Sequence, residues 1–429
     1  MNRMNNTASP PSRFMSAVIG VVFALFVASP LINVGPVNVA AFLLLLASLL
    51  WLTQNPKLWW DFWRLRMPLL LLVICLTLIF LSSNYENNIS GPLFATFSQS
   101  RWFILMVVAA PAVAVQVNMG VGRHIVVFTR VILLFFALIY AVDAALYLGL
   151  DSSVILEIFT EQRSDPLRPS WVFNPHPFSR TLIAGLLLLI SGCVIGQPLP
   201  QRVAYAFGIF LLSTLLIIGA VRTAFAALFI ICIASLIIYW GKRAALMFLS
   251  GALLAMAGFA FRDYLFGSSL YDQSLEYRLV LLQDGVHAFL DRPWLGGGYQ
   301  ASRTISWSPA LQHFVNAQTL VTTNTHIQWL EMYVSYGTLG GTLFIVFWAT
   351  TGSLAIRTYR QSLGPFKLLS SLLILNWLNL TVAGFTTVFR ETEWTLWVTT
   401  ILGALWLAHR QHNGLEESKL ALAQDAGTK

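Results

Sequence analysis

Long runs of apolar residues, separated by short polar segments, occupy most of this chain. A helix needs about 20 mostly apolar residues to cross the hydrocarbon core of a membrane. Judged by that length, the following stretches are predicted to span a membrane: 14–33, 36–53, 67–82, 101–118, 125–149, 178–196, 203–220, 222–240, 244–261, 327–350, 367–388 and 394–409. The pattern therefore predicts an all-α, polytopic membrane protein with about 12 transmembrane helices.

The longest interruption of this pattern covers residues 262–325. It contains arginines, acids and histidines together with a run of three glycines, so it is too polar to lie in lipid. A shorter polar loop, 150–177, is rich in proline and aromatic residues. We divide the chain into N-terminal transmembrane helices (1–202), a core that includes the long loop (203–350), C-terminal transmembrane helices (351–409) and a cytoplasmic tail (410–429).

The composition supports a membrane protein and excludes an ordinary soluble one. Hydrophobic residues make up 57% of the chain and charged residues 10%, whereas a soluble domain carries about a quarter charged residues. The net charge of +8 does not indicate nucleic acid, because membrane proteins concentrate Lys and Arg in cytoplasmic loops. Cys75, Cys193 and Cys232 lie in apolar runs without the spacing of a metal site, so we interpret them as small hydrophobic residues.

The basic residues indicate an orientation. If both termini are cytoplasmic, every lysine and most arginines fall on the cytoplasmic side, as the positive-inside rule expects. The basic residues that remain on the outer side are all arginines. Because the planar guanidinium suits phosphate and carboxylate, whereas lysine mainly supplies a point charge, the outer arginines are candidate anion-binding residues.

Residues 275–291 of the long loop have the periodicity of an amphipathic helix. Leucines, a valine and a phenylalanine recur at helical spacing on one face, and acidic and amide side chains lie on the other. Arg278 lies at the edge of the apolar stripe. Such a helix would lie flat at the outer membrane interface, where Arg278 could point inward. The alternative is that Arg278 only covers apolar surface.

His326 stands at the start of the tenth predicted span. Thr325 and Gln328 match a Thr-x-x-Gln capping box, which predicts that His326 is the first helical residue. A helix N-terminus disfavours imidazolium and can hold an anion, so His326 should stay neutral, as a general base must be. A purely structural role is the alternative. Glu331 is predicted to point away from His326 and to orient a neighbouring helix.

Arg222 lies at the junction of two predicted spans, 203–220 and 222–240. An arginine at membrane depth costs about 2.5–3.5 kcal/mol on insertion scales, so such residues usually face a polar cavity. Snorkelling to the outer headgroups is the alternative. Arg180 and Arg390, at the outer ends of other spans, are additional candidates for substrate binding. The roles of two further polar residues, Asp143 and His176, stay open.

The outer arginines and His326 together fit a site for a phosphate-bearing lipid, in which the arginines hold phosphates and the histidine moves a proton. The glycine run at 296–298 could also wrap backbone around a phosphate, although a plain turn is the simpler interpretation. Because the chain contains no HExxH motif, P-loop or cysteine cluster, we expect no metal and no cofactor.

Four motifs follow one another in the core in a characteristic order. They are AVRTAFAALF around Arg222, EYRLVLLQDGVHAF around Arg278, DRPWLGGGY, and NTHIQWLEMYVSYGTLGG around His326. In this order they resemble the O-antigen ligase and polymerase superfamily of bacterial envelope glycan assembly, over roughly residues 203–350. FNPHPFSRTLIAG further upstream resembles the Asn-Pro-Asn-containing entry to a span in that family.

The resemblance implies a metal-independent glycosyltransferase in the bacterial inner membrane, with its active site facing the periplasm among membrane lipids. The donor would be a glycan on undecaprenyl diphosphate, held by Arg222 and Arg278, with His326 as the base on the acceptor hydroxyl. Two positions depart from the family pattern. Ile327 replaces an asparagine that often follows the histidine, and His176 replaces the second asparagine of the upstream motif.

The acceptor distinguishes two activities within the family: a ligase transfers the glycan to lipid A–core, and a polymerase transfers it to another repeat unit. Certain polymerases carry an arginine followed at a fixed spacing by glycine in two outer loops, and the outer loops here lack that pair. This favours a ligase. A lipid-linked glycan transporter is a third hypothesis, but charges near the bilayer midplane would be expected there, and here they cluster at the outer ends of spans.

Overall fold

The computed structural model describes these segments of the chain: 18–19, 21–22, 34–54, 56–71, 73–74, 77, 104–105, 108–113, 130–131, 138, 142, 175–194, 198–218, 222–239, 270–298, 301, 325–385, 387, 397–410 and 413. Within them every regular element is a helix, and eight have defined bounds. These are α1 (Val34–Gln54), α2 (Pro56–Trp63), α3 (Pro175–Val194), α4 (Leu199–Ile218), α5 (Arg222–Tyr239), α6 (Leu270–Asp291), α7 (Gln328–Gln361) and α8 (Gly364–Ala383). Residues 397–410 are helical as well.

Six of these helices, α1, α3, α4, α5, α7 and α8, coincide with predicted spans. Within the described segments, α7 and the Phe366–Ala383 part of α8 are long and apolar enough to cross a membrane, and α1 with α2 forms a pair bent by 104° that also qualifies. The exposure of large apolar side chains on these helices suits contact with lipid. The total of about 12 spans stays a prediction, because at least half of each of the spans 14–33, 67–82, 101–118, 125–149 and 244–261 lies outside the described residues.

Helices α7 and α8 form an antiparallel hairpin joined by Ser362 and Leu363. The Trp348 indole N–H donates to the Thr381 hydroxyl at 2.9 Å, and the Trp348 and Trp377 rings stack with centroids 6.3 Å apart. Tryptophan pairs of this kind bury large areas and still satisfy the polar edge of the ring. The hairpin therefore provides a fixed support for the segment that precedes α7, which includes His326.

The two ends of this hairpin differ in charge. Arg357, Arg360 and Lys367 lie near the connecting turn, whereas His326 precedes α7 at the opposite end. A straight helix of the 34 residues of α7 would be about 51 Å long, which is enough to place its two ends on opposite sides of a hydrocarbon core of about 30 Å. Basic residues at the turn and none at the opposite end of α7 are expected if the turn is cytoplasmic and His326 is at the outer face, as predicted.

Helix α8 connects two apolar clusters. Leu373 and Leu380 belong to a cluster with α1, α2, α7 and the helix at 397–410. Leu375 belongs to a second cluster with α3, α4 and α5. A helix that is apolar all round is buried on several sides, so α8 holds α7 in place relative to α3 and α5.

Helix α7 bends at Gly337, whose backbone is non-helical (φ 65°, ψ −166°). The interruption separates two carbonyls and two N–H groups from the partners that a continuous helix would provide. Residues 293–298, which follow α6, replace those partners with four backbone bonds: Gly297 N–H to Val334 O (2.8 Å), Gly298 N–H to Ser335 O (2.8 Å), Thr338 N–H to Pro293 O (2.7 Å) and Leu339 N–H to Trp294 O (3.4 Å). The loop thereby completes the bent helix.

Two glycines allow this contact. Gly296 and Gly337 both have positive φ, and a Cβ on either one would overlap backbone atoms of the facing segment. The Gly296 N–H donates to the Arg292 carbonyl at 3.0 Å, so all three N–H groups of 296–298 have acceptors within the protein. The interpretation of this run as a phosphate cradle is therefore wrong, and the interpretation as a turn is confirmed.

Candidate functional site

Helix α6 packs along the first turns of α7. It spans Leu270–Asp291, so the predicted helix at 275–291 is confirmed and begins earlier than expected. The Phe289 and Tyr333 rings meet edge to face with centroids 5.6 Å apart. A Cβ on Gly285 would lie 2.7 Å from Leu330 Cδ2 and 3.1 Å from Thr325 Cγ2. The absence of a side chain at Gly285 thus lets α6 approach the segment that carries His326.

An apolar stripe is exposed along α6, beside exposed polar residues such as Gln283 and His287. Side chains spaced three or four residues apart are exposed along it, and Trp294, in the turn beyond the helix, is 77% exposed. The exposed residues of this stripe are Leu279, Leu282, Val286 and Leu290. Such a stripe on a helix outside the predicted spans is what an interfacial helix presents to lipid, and the interfacial position of α6 stays a prediction.

His326 lies in a bend just before α7, not within the helix. Helix α7 begins at Gln328, its N-cap is Ile327, and no side chain caps it. The predicted capping box is therefore wrong. The physical reason is that the Gln328 N–H donates to the carbonyl of Gly384, at the end of α8, at 2.8 Å. Because Gly384 accepts the hydrogen bond of this N-terminal N–H group, Thr325 is not needed as a cap.

The backbone of His326 has a φ of +56°, in the left-handed region. That conformation costs an L-residue about 1–2 kcal/mol, although histidine tolerates it better than most. Such strain persists only where surrounding contacts hold it, and it is concentrated at functional sites.

Thr325 and Glu331 make the contacts next to this bend. The Thr325 N–H and hydroxyl both donate to Glu331 Oε2, each at 3.0 Å, and the hydroxyl is also 3.1 Å from the Ile327 carbonyl. Glu331 is 6% exposed and Thr325 is 1% exposed. The prediction that Glu331 points away from His326 is therefore wrong, because its carboxylate turns back onto the residue beside the histidine.

Arg278 and His326 are brought together by the packing of α6 on α7. Burial lowers the pKa of His326, and the positive charge of Arg278 lowers it further. The expectation that His326 is neutral is thus supported, but for a different reason. Desolvation and a guanidinium disfavour the imidazolium here, instead of a helix N-terminus.

The remaining predicted arginines occupy different places. Arg222 is the first residue of α5, as expected from the predicted span, and α5 packs against α3 and α8. Arg180 lies in α3 and is buried, and its carbonyl accepts a hydrogen bond from Asn379 Nδ2 of α8 at 3.3 Å. The backbone of His176 lies in the first turn of α3. Two predicted residues, Arg390 and Asp143, are outside the described segments.

The contribution of Thr325 and Glu331 was missed from the sequence. One signal was present, since Glu331 is the sole charged residue of the predicted span 327–350, and an ionisable residue inside a span is a functional candidate. In the segments that the structure describes, no three His, Cys, Asp or Glu residues are placed to hold a metal ion.

Residues 207–345 match the family model described as O-antigen ligase. The matched stretch includes α5, α6 and the beginning of α7, and with them Arg222, Arg278 and His326. No curated protein matches the sequence. The matched stretch agrees closely with the resemblance predicted for 203–350, and O-antigen ligation or polymerisation is the general activity of this family. Over residues 207–345 the chain is thus similar to the O-antigen ligase family, which supports the resemblance to the O-antigen ligase and polymerase superfamily.

Proposed function

We propose that the protein transfers a glycan from undecaprenyl diphosphate to an acceptor hydroxyl at the periplasmic face of the inner membrane. As the acceptor we propose lipid A–core, which makes the protein an O-antigen ligase. The observation that carries this proposal is the proximity of Arg278 to a partly buried His326 with a lowered pKa, inside the stretch that matches the ligase family.

The chemistry requires a base and a stabilised leaving group. Neutral His326 accepts the proton of the acceptor hydroxyl, while the oxygen of that hydroxyl forms a bond to the anomeric carbon of the glycan. The bond between that carbon and the phosphate oxygen breaks, and its electron pair leaves with the undecaprenyl diphosphate. Arg278 and Arg222 stabilise the negative charge that develops there through bidentate hydrogen bonds, so on this proposal no metal is needed.

Arg278 also couples donor binding to the strength of the base. In the free protein its positive charge lowers the pKa of His326. A bound diphosphate would offset that charge, because two opposite charges in contact largely cancel their field on a third group. His326 therefore becomes a stronger base when the donor is in place, and it remains neutral and ready before the donor arrives.

The location of the site suits a lipid-linked donor. Arg278 of α6 lies close enough to His326 on α7's side to lower its pKa, and α6 also exposes an apolar stripe. If that stripe lies in the outer headgroup region, Arg278 is at the depth of a lipid diphosphate. A transporter would not need a neutral histidine beside its anion-binding arginine, whereas a transferase does.

The test is a reconstituted transfer reaction. Purified protein in lipid nanodiscs is mixed with undecaprenyl diphosphate-linked glycan and with either lipid A–core or a second lipid-linked repeat unit, in the presence of EDTA. We expect glycan to be transferred to lipid A–core. Elongation of the repeat unit alone would identify a polymerase. Absence of transfer to both acceptors, together with movement of the donor across the bilayer of proteoliposomes that contain the protein, would identify a transporter and overturn the proposal.

A further inference from the structure

His326 is held in a conformation that its own sequence does not favour. Its φ of +56° lies in the left-handed region. The residue precedes both α7 and its N-cap, Ile327. A histidine that acts as a base must present one ring nitrogen to the acceptor within a few tenths of an ångström and a few tens of degrees. The groups that hold the bend therefore control whether the ring is correctly placed.

The Glu331 carboxylate is the buried group that joins the bend to α7. Its Oε2 accepts both the backbone N–H and the hydroxyl of Thr325, and its own N–H donates to the Ile327 carbonyl at 2.9 Å. Side chain and backbone of Glu331 thus bind the residues on both sides of His326. Hydrogen bonds are electrostatically stronger in a buried environment than in water, and two bonds to one oxygen define a direction as well as a distance.

A second contact closes the same bend from the side. The Gln328 N–H donates to Gly384 O at 2.8 Å, and the Thr325 methyl faces Gly285 of α6. The bend is therefore fixed relative to α8 and relative to the helix that carries Arg278. Rotation of the 325–327 segment would break bonds to Glu331 and to α8 together.

We propose that Glu331 is a positioning residue for His326: its carboxylate holds Thr325 and thereby keeps His326 in the left-handed conformation that directs its ring toward the acceptor. The inference rests on the proposed role of His326 as the base. Glu331 itself takes no proton from the acceptor and touches no substrate, so its removal changes the rate of the chemical step and leaves donor binding intact.

The test is a set of matched variants in the reconstituted transfer reaction, with activity expressed per correctly folded molecule from size exclusion in detergent. Glu331→Gln keeps an oxygen that can accept both Thr325 bonds, and we expect it to retain activity within about threefold. Glu331→Leu keeps a side chain of similar size without an acceptor. We expect its kcat to fall about tenfold or more, with an unchanged KM for the lipid-linked donor.

Substitution of the bonded partner keeps the proposal testable if Glu331→Leu does not fold. Thr325→Val removes the hydroxyl and retains the backbone N–H, so we expect a partial loss of kcat, and Thr325→Ser should restore it. A cryo-EM structure of Glu331→Gln should show His326 with positive φ, and one of Thr325→Val should show a displaced ring. These structures report on the positioning without reference to activity.

Three outcomes would overturn the proposal. Glu331→Leu could keep the wild-type kcat, Glu331→Gln could be as inactive as Glu331→Leu, or the loss could appear in the donor KM alone. The wild type and His326→Ala report separately on the proposed function. If both transfer glycan equally, His326 is not the base, whereas a low His326→Ala activity together with a fully active Glu331→Leu removes only the role of Glu331.

Discussion

Two arginines of this protein, one buried and one half-buried, differ in the groups that surround them. Arg130 is 2% exposed, and its donors are used within the protein: Nε donates to Leu188 O at 3.1 Å and Nη2 to Ser191 Oγ at 2.9 Å. Its guanidinium also lies 4.9 Å from the centre of the Tyr205 ring. Arg130 thus joins the C-terminal part of α3, where a cation is favourable, to α4.

Arg278 differs from Arg130 in having a titratable neighbour, His326. It is half-buried on an amphipathic helix, and it lowers the pKa of the neighbouring His326, so the protein places a fixed cation beside a group that could become a second one. Two positive charges near each other are costly unless an anion joins them. Burial alone therefore does not distinguish a functional arginine from a structural one, whereas the groups around the guanidinium do.

The largest effect is expected from His326→Ala. A general base contributes about 100-fold to 10,000-fold to a rate, so transfer should fall by at least about 100-fold while the melting temperature in detergent stays unchanged. His287→Ala is the matched control, since His287 is an exposed histidine of α6, and it should transfer glycan normally. Equal activity of both variants would contradict the assignment of the base.

The next effect separates the two arginines directly. Arg278→Lys keeps the charge but loses the bidentate fork, so we expect transfer per folded molecule to fall about tenfold or more. Arg130→Lys should keep full transfer per folded molecule and lower the melting temperature, because it loses a charged hydrogen bond of about 1.5–3 kcal/mol. The comparison fails if Arg130→Lys is the catalytically impaired variant.

A smaller effect is expected where α6 approaches the bend. Gly285→Leu places atoms against Leu330 and Thr325, so α6 must move outward and carry Arg278 away from His326. We expect a several-fold loss of transfer, because small displacements at an active site are costly. Gln283→Leu, on the exposed side of α6, adds a similar side chain and should have no effect on initial rates.

The smallest effect is a displacement of the pH profile. The lowered pKa of His326 means that the free protein stays active as pH falls below the usual value for histidine, and the acid limb of kcat/KM should lie below that value. Bound diphosphate offsets Arg278, so the acid limb of kcat should lie at higher pH than that of kcat/KM. In Arg278→Gln the acid limb of kcat/KM should also move to higher pH. If the acid limbs of kcat/KM coincide in the wild type and in Arg278→Gln, the charge of Arg278 does not act on His326.

Local patterns were enough to predict many elements. Apolar length predicted α1, α3, α4, α5, α7 and α8, and helical periodicity predicted α6, because both depend on residues close together in the chain. The same periodicity led to one error. Phe289 was grouped with the outward leucines, but its ring packs on Tyr333 of α7, and which side of a helix is covered depends on a partner that periodicity does not identify.

The candidate site also has features that local sequence predicts and features that only tertiary packing determines. From the sequence alone came the membrane class, the predicted outer-face arginines, and His326 at the entrance to a span, since residue type and order carry that information. Only the tertiary structure decided how His326 is held. Gly384 replaced Thr325 as the partner of the α7 N-terminus, and Glu331 turned back toward Thr325. Hydrogen-bond partners are chosen by whichever segments packing brings together, and that choice follows from the fold of the whole chain.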